Sequence, residues 1–315
     1  MKKTICLIVL FVANHVMAQL KVEELMNDSL VKAFVCEQTG RNFQNVHLVS
    51  IDELKERKQL EAVTVFDSLQ TVHKLVDDFN EDGKKDLIVS YAFRVPSQMY
   101  FDGFFIQAFV SNEKGKYDLK DLWHRYEYLL GRIIGMDRKS KSFVVARQWI
   151  DFRKEVLGFD TLFYFQGEFI NKNNTCNIGF DQLEYYTTSN WLASSYKYSY
   201  FTLFANGVIR REDFDMGNRK IYQCQLKKEI FDSLNNLICA VNLWELKGRY
   251  EMENVHDVGT SHLVISYKGT VKKIDDYGHW GNFGLAVIYK TLSRLSKDSD
   301  WVLIEQITKK DEGKY

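Results

Sequence analysis

Nine residues, Asp78-Phe79-Asn80-Glu81-Asp82-Gly83-Lys84-Lys85-Asp86, place oxygen-bearing side chains at positions one, three, five and nine and a glycine at position six. Alternate side chains of such a short loop converge on one point, and the glycine takes the sharp backbone turn. A hard cation such as Ca²⁺ takes about 6–8 oxygen ligands at roughly 2.3–2.6 Å. The spacing therefore names Asp78, Asn80 and Asp82 as side-chain ligands, the backbone carbonyl of Lys84 as a fourth and Asp86 as a fifth. The run that follows, Leu87 to Phe93, is apolar and aromatic and reads as a strand. An EF-hand needs a bidentate Glu at position twelve, and that position is Val89. The expectation is a loop that feeds a strand and is clipped by Ca²⁺, not a calcium switch. The competing reading is an Asx-rich turn without a metal, because Asp, Asn and Gly are common turn formers.

The pattern DxNxDGxxDL ahead of a hydrophobic strand resembles the calcium loops of FG-GAP and VCBS-type repeats. The match runs from Val76 to about Val110, and no second copy follows, so a multi-blade propeller is not expected. With the strand-rich segment from Phe143 to Phe169, the region is similar to bacterial periplasmic proteins that carry one such loop. Some of those inhibit peptidoglycan hydrolases. The resemblance implies Ca²⁺ as the bound ion and an envelope protein or glycan as partner.

The first residues read as a secretory signal over 1–18. Lys2 and Lys3 form the basic start, Ile5 to Ala13 a short apolar stretch, and Val16-Met17-Ala18 the cleavage positions, so the mature chain is expected to start at Gln19. That places the protein in the periplasm or outside the cell. No later segment is apolar for long enough to span a membrane. Loss of Lys2 and Lys3 with the leader leaves 40 basic against 42 acidic side chains, a net charge of −2. This balance gives no reason to expect nucleic acid as a partner. Hydrophobic residues at 45% exclude a disordered chain, and aromatics at 14% suit strand-rich packing. Cys36, Cys176, Cys224 and Cys239 remain after cleavage. An exported chain can pair them in three ways or keep them as buried thiols.

The mature length implies two domains, divided at the polar run Asn171 to Asn177. The first, 19–175, is expected to be mainly β with one calcium loop. It opens with an amphipathic helix carrying Val22, Met26, Leu30 and Ala33-Phe34 on one face. A second helix starts at Ser50 with Glu53 completing a capping box. Strands follow at Phe104–Val110, Phe143–Ile150 and Thr161–Phe169, with a turn at Gly167. The second domain, 178–315, reads β-β-α-β-β-α. Tyr198–Ala205 and Val208–Arg211 flank the hairpin turn Asn206-Gly207. A helix carries Leu226, Ile230, Leu234, Leu237-Ile238 and Val241 at helical spacing, strands His262–Tyr267 and Thr270–Tyr277 turn at Lys268-Gly269, and a last helix carries Leu285, Ile288, Leu292 and Leu295. The fold class is thus α+β and β-rich, with an antiparallel sheet in the second domain. The Phe204-Ala205-Asn206-Gly207 hairpin, the long middle helix and Ile274-Asp275-Asp276-Tyr277-Gly278 resemble a family of small secreted bacterial domains of unknown function. Where that family carries a paired-cysteine segment, this chain has Ser189 to Ser195 without cysteine.

Three clusters carry candidate chemistry. Asp275, Asp276, Tyr277, His279 and Trp280 lie on one strand-to-helix connection and can bind a polar ligand or do acid–base work; the alternative is a tight turn shaped by glycines. His256 and His262 fit no zinc spacing. Trp123 to Tyr128 can stack on sugars or form a core edge. The chain lacks GxSxG, HExxH, P-loop and GxGxxG motifs. The expectation is an exported, calcium-stabilised, non-enzymatic binding or inhibitor protein of the bacterial envelope. The alternative is a hydrolase of envelope or extracellular polymer acting through the Asp275–His279 loop.

Overall fold

The computed structural model describes residues 20–48, 50–52, 60–93, 103–122, 128–151, 154–171, 179–188, 197–215, 218–251, 258–279 and 281–307. The chain divides into two compact units. One spans 1–150 with 154–161, and the other 151–153 with 162–315. The passage between them falls ahead of the polar run at 171–177. The signal segment, Cys176, Trp123 to Glu127, Ser189 to Ser195, His256 and Trp280 lie outside the described residues. Cys36, Cys224 and Cys239 carry no disulfide. Among the described residues no helix is long and apolar enough to cross a membrane.

In the first unit the opening helix starts later than the apolar spacing suggests. Val22–Glu24 is a short 3-10 turn, and helix α1 covers Asp28–Thr39. Asn27 fixes its start, because the Asn27 side chain accepts the Leu30 amide at 3.0 Å. Gly40 ends it in the left-handed region at φ 67°. The buried stripe is consequently Val31, Phe34 and Val35, while Met26 is 84% exposed. After the two-residue strand β1 (Val46–His47), Ile51 and Asp52 are helical, as expected of a start at Ser50; Glu53 lies outside the described residues. Helix α2 covers Leu60–Ser68 and buries Val63 and Phe66. Strands β2 (Lys74–Asp77), β3 (Asp86–Phe93), β4 (Gly103–Ser111) and β5 (Tyr117–Asp121) complete a five-stranded antiparallel sheet with β1. Strand β3 is central, pairing with β1 and β2 on one side and β4 on the other. Its buried run Asp86 to Ala92 is the continuous apolar pattern of a strand covered on both faces. One face meets α1 through Leu87, Val89 and Tyr91, and the other meets α2 through Ala92. Strands β6 (Tyr128–Asp137) and β7 (Ser142–Asp151) form an antiparallel hairpin in the same unit.

The second unit begins in strand β8 (Lys154–Phe165), whose Leu162–Phe165 end pairs with β9 (Glu168–Asn171) across the turn at Gly167. Then come β10 (Gln182–Thr188), β11 (Lys197–Phe204), β12 (Val208–Asp215) and β13 (Asn218–Gln225), helix α3 (Lys228–Val241), the short β14 (Arg249–Tyr250), β15 (Thr260–Tyr267), β16 (Thr270–Tyr277), helix α4 (Phe283–Asp298) and β17 (Val302–Ile307). Strands β10–β17 make one eight-stranded sheet in the order β14-β16-β15-β10-β11-β12-β13-β17, antiparallel except at β14–β16. The β-β-α-β-β-α reading captures its middle and misses β10, β13, β14 and β17. Both helices pack on one face, where Leu183, Tyr185, Phe201, Leu203, Ile209, Leu263, Ile265 and Ile274 meet the apolar stripes of α3 and α4. Leu226, expected as the first helical apolar position, lies just ahead of α3 and is buried.

The two helices touch at Gly284, where an added Cβ would sit 2.5 Å from Cγ2 and 2.8 Å from Cγ1 of Val241. Gly284→Ala should gain about 1 kcal/mol of helix propensity but lose roughly 1–3 kcal/mol to overpacking against a stiff β-branched side chain. The expected outcome is a net loss of stability, read as a lower midpoint in urea denaturation.

Candidate functional site

The Asp78–Asp86 loop is curled by two left-handed residues, Glu81 at φ 60° and Gly83 at φ 84°. Asp78 Oδ1 accepts the Asp82 amide at 3.1 Å, and Asp78 Oδ2 accepts the Gly83 amide at 2.9 Å. Asn80 Oδ1 accepts the same Asp82 amide at 3.2 Å, so two of the expected ligand oxygens converge on one point. Asp82 Oδ1 accepts the Lys84 amide at 2.9 Å, and Asp82 Oδ2 accepts the Ser111 hydroxyl at 2.8 Å. Slight desolvation raises the Asp82 pKa, but these bonds and the Lys84 charge outweigh it and hold the group below the usual carboxylate value. The Asn80 side-chain amide donates to the Ser111 carbonyl at 2.8 Å. The loop is thereby laced to the end of β4.

Asp86 is fully buried. Its Oδ2 accepts the Phe79 amide at 2.8 Å and its Oδ1 the Ser111 amide at 2.7 Å. Burial raises its pKa, and hydrogen bonding only partly offsets that. A carboxylate offers about four lone-pair sites, and the Phe79 and Ser111 amides take one on each oxygen. Position nine, expected as a ligand from its spacing, here anchors the loop to β3 and β4. Asp78, Asn80, Asp82 and Lys84 lie nearer to solvent than the buried Asp86, and their two carboxylates, one amide oxygen and one carbonyl are the set a cation could reach. Among the described residues no group of three or more His, Cys, Asp or Glu is gathered for a metal. An all-oxygen set completed by amide, carbonyl and water suits Ca²⁺ better than a transition metal.

The strand-to-helix residues do not form one site. Asp275 and Asp276 are consecutive on β16 and point to opposite faces. Asp275 is exposed and lies 2.7 Å from His262 Nδ1. His262 Nε2 is 3.1 Å from the Thr188 hydroxyl, and its ring stacks on Tyr186 at 4.5 Å. Asp276 is buried on the helix face, accepting the Gly281 amide at 2.8 Å. There, burial and then the Asp276 charge push the Tyr289 pKa well above its ordinary value. His279 sits at φ 62° with Nε2 3.0 Å from the Ser261 hydroxyl, and Ser261 is fully buried. Tyr277 is half-buried and pairs with Thr260. A Cβ at Gly281 would meet Asp276 Oδ2 at 2.5 Å, so the glycine is required by close approach. The buried Ser261 and Asp276 offer a polymer substrate no contact, and this geometry suits the turn reading.

A cleft of about 820 Å³ opens at the end of the eight-stranded sheet. Two cross-strand rows line it: Ser199, Asp213, Lys220 and Gln306, and beside them Phe201, Arg211 and Tyr222. Arg211 is held on several sides. It donates to the Ser296 carbonyl at 2.8 Å, its Nε lies 3.2 Å from Asp213, and its guanidinium lies 4.6 Å from the Tyr222 ring and 5.0 Å from the Trp301 ring. The Ser199 hydroxyl fixes Asp213 at 2.7 Å. At the rim Tyr198 and Phe214 stack at 4.5 Å. The sequence carries one trace of this site, the period-two run Arg211, Asp213, Asp215 on β12. No family model, curated protein or solved structure matches the chain.

Removing the Asp86 carboxylate strands two buried amides, each costing about 1–3 kcal/mol. Asp86→Ala should therefore destabilise the first unit by roughly 2–6 kcal/mol, with or without added Ca²⁺. Urea denaturation in EDTA and in Ca²⁺ checks this.

Proposed function

We propose that this chain is an exported, calcium-stabilised, non-enzymatic binding or inhibitor protein of the bacterial cell envelope. In this reading its first, β-rich unit carries one calcium loop of the FG-GAP type, and its second, α+β unit holds the ligand. The basic and apolar N-terminal residues support export, and the converging oxygens of Asp78, Asn80 and Asp82 support Ca²⁺. Asp78, Asn80, Asp82 and the Lys84 carbonyl would hold the ion, and Asp86 would set their positions from behind. The ion supplies positive charge that fastens the loop; it does not act on the ligand.

The observation that carries the binding function is the cleft. Tyr198, exposed at the rim, and Tyr222 give aromatic surface on which the apolar side of a sugar ring can pack. Arg211, Asp213, Ser199 and Gln306 give donors and acceptors in fixed positions for its hydroxyls. Because Arg211 and Asp213 are already tied to Ser296 and Ser199, little side-chain freedom is lost on binding. The ligand class that fits is a glycan of the envelope.

Isothermal titration with soluble peptidoglycan fragments should give saturable binding without release of reducing ends. Lys220 is exposed at the cleft, and loss of one charged hydrogen bond is worth about 1.5–3 kcal/mol. Lys220→Ala should therefore weaken affinity roughly tenfold or more while leaving the thermal midpoint unchanged. Turnover of the fragments by the protein alone, or neither binding to them nor inhibition of a lysozyme-type hydrolase, would contradict the proposal.

A further inference from the structure

On the sheet face turned away from α3 and α4, strands β10, β15 and β16 bring together a hydroxyl, an imidazole and a carboxylate. Register sets them. His262 stands opposite Asp275 on one side and Tyr186 on the other, and Thr188 follows Tyr186 on the same face of β10. Asp275 Oδ1 lies 2.7 Å from His262 Nδ1, and the Thr188 hydroxyl lies 3.1 Å from His262 Nε2. A carboxylate only accepts hydrogen bonds. In the neutral ring the proton therefore sits on Nδ1, and the Nε2 lone pair faces the hydroxyl. Thr188 donates to His262. The Tyr186 ring stacks on the imidazole at 4.5 Å with the planes 16° apart and fixes its tilt. Thr188 is exposed, whereas the His262 side chain is only 20% exposed. The hydroxyl is open to solvent and its base is sheltered. Ser261 and His279 make a second such pair at 3.0 Å, but Ser261 is fully buried and closed to a reagent.

We propose that Thr188 is a covalent acceptor for acyl groups carried by activated esters. Nucleophile, base and orienting carboxylate stand in the order that activates a hydroxyl. Thr188 Oγ1 attacks the ester carbonyl carbon while His262 Nε2 takes the hydroxyl proton. The bond from that carbon to the leaving oxygen breaks, and the leaving oxygen takes the proton from His262. The products are O-acyl Thr188 and the free alcohol, with no oxidant or cofactor consumed. Asp275 acts through His262 as a positioning residue: it holds the tautomer and offsets the charge of the imidazolium. The β-methyl group of threonine crowds the new ester against water. One acyl group thus stays on each chain, and the step is a modification rather than turnover. It uses the outer face of the sheet and does not need the glycan reading of the cleft.

Incubation of the protein with p-nitrophenyl acetate, followed by peptide mass spectrometry, tests this. The expected result is one acetyl group on Thr188, gained faster than on any other hydroxyl, Ser261 included. General-base assistance is worth about 10²–10⁴-fold. His262→Ala should therefore slow acetylation of Thr188 by about 100-fold or more. Asp275→Asn, which nearly keeps the side-chain shape but releases the tautomer, should slow it as well, and carries the comparison if His262→Ala fails to fold. Thr188→Ser should keep the label and Thr188→Val abolish it, each with an unchanged circular dichroism spectrum. An unmodified Thr188 would overturn the proposal. So would acetylation at the parent rate in folded His262→Ala or Asp275→Asn, or release of nitrophenol through Thr188 well beyond one equivalent per chain.

Discussion

A single buried carboxylate organises the first unit. Asp86 opens the central strand and reaches back to the Phe79 amide and across to the Ser111 amide. It thus closes the loop on itself and ties it to β4 in one interaction. Burying an ion costs several kcal/mol unless its oxygens are met, and one backbone amide meets each of them. The left-handed turns at Glu81 and Gly83 are tolerated because both ends of the loop are held in this way. The outward oxygens of Asp78, Asn80 and Asp82 are arranged as a consequence. A cation at that point needs no further folding of the loop, only the replacement of amide contacts and water.

The second unit is built on a different principle. Its sheet has one face covered by α3 and α4, and the strand period of two sorts every neighbouring pair of residues between the faces. That rule separates Asp275 from Asp276 and divides what looks like one cluster in the sequence. It also aligns residues distant in sequence: Ser199, Asp213, Lys220 and Gln306 come from four strands and meet in one row. The cleft exists where the last turn of α4, at Ser296, gives out and the sheet continues beyond it.

Local signals were legible in the sequence where one residue type has one physical use. Asn206-Gly207, Lys268-Gly269 and Gly167 mark their hairpins, and the 3.6-residue spacing of Leu234, Leu237-Ile238 and Val241 marks α3. The apolar run after Asp86 marks β3. Strands such as Asn218–Gln225 escaped because their side chains are mostly polar, and only register against β12 and β17 makes them strands. The start of α1 is not where the apolar spacing begins, because that spacing runs on from Val22 while the Asn27 side chain caps the helix at Asp28. For the candidate sites the division is the same. The loop is contiguous and can be found from its spacing, although the anchoring task of Asp86 depends on Ser111, twenty-five residues away. The cleft is assembled by sheet register and leaves almost no contiguous trace.

The reading of the loop as a fixed calcium clip is tested most directly by calorimetric titration of Ca²⁺ into the chelator-stripped protein. The account predicts one Ca²⁺ per chain, abolished by Asp82→Ala. It also predicts that saturation at about 100 times Kd adds roughly 2.7 kcal/mol to stability. No binding heat at any Ca²⁺ concentration, or equal binding by Asp82→Ala, would contradict it and leave the loop as a hydrogen-bonded turn held by Asp86 alone.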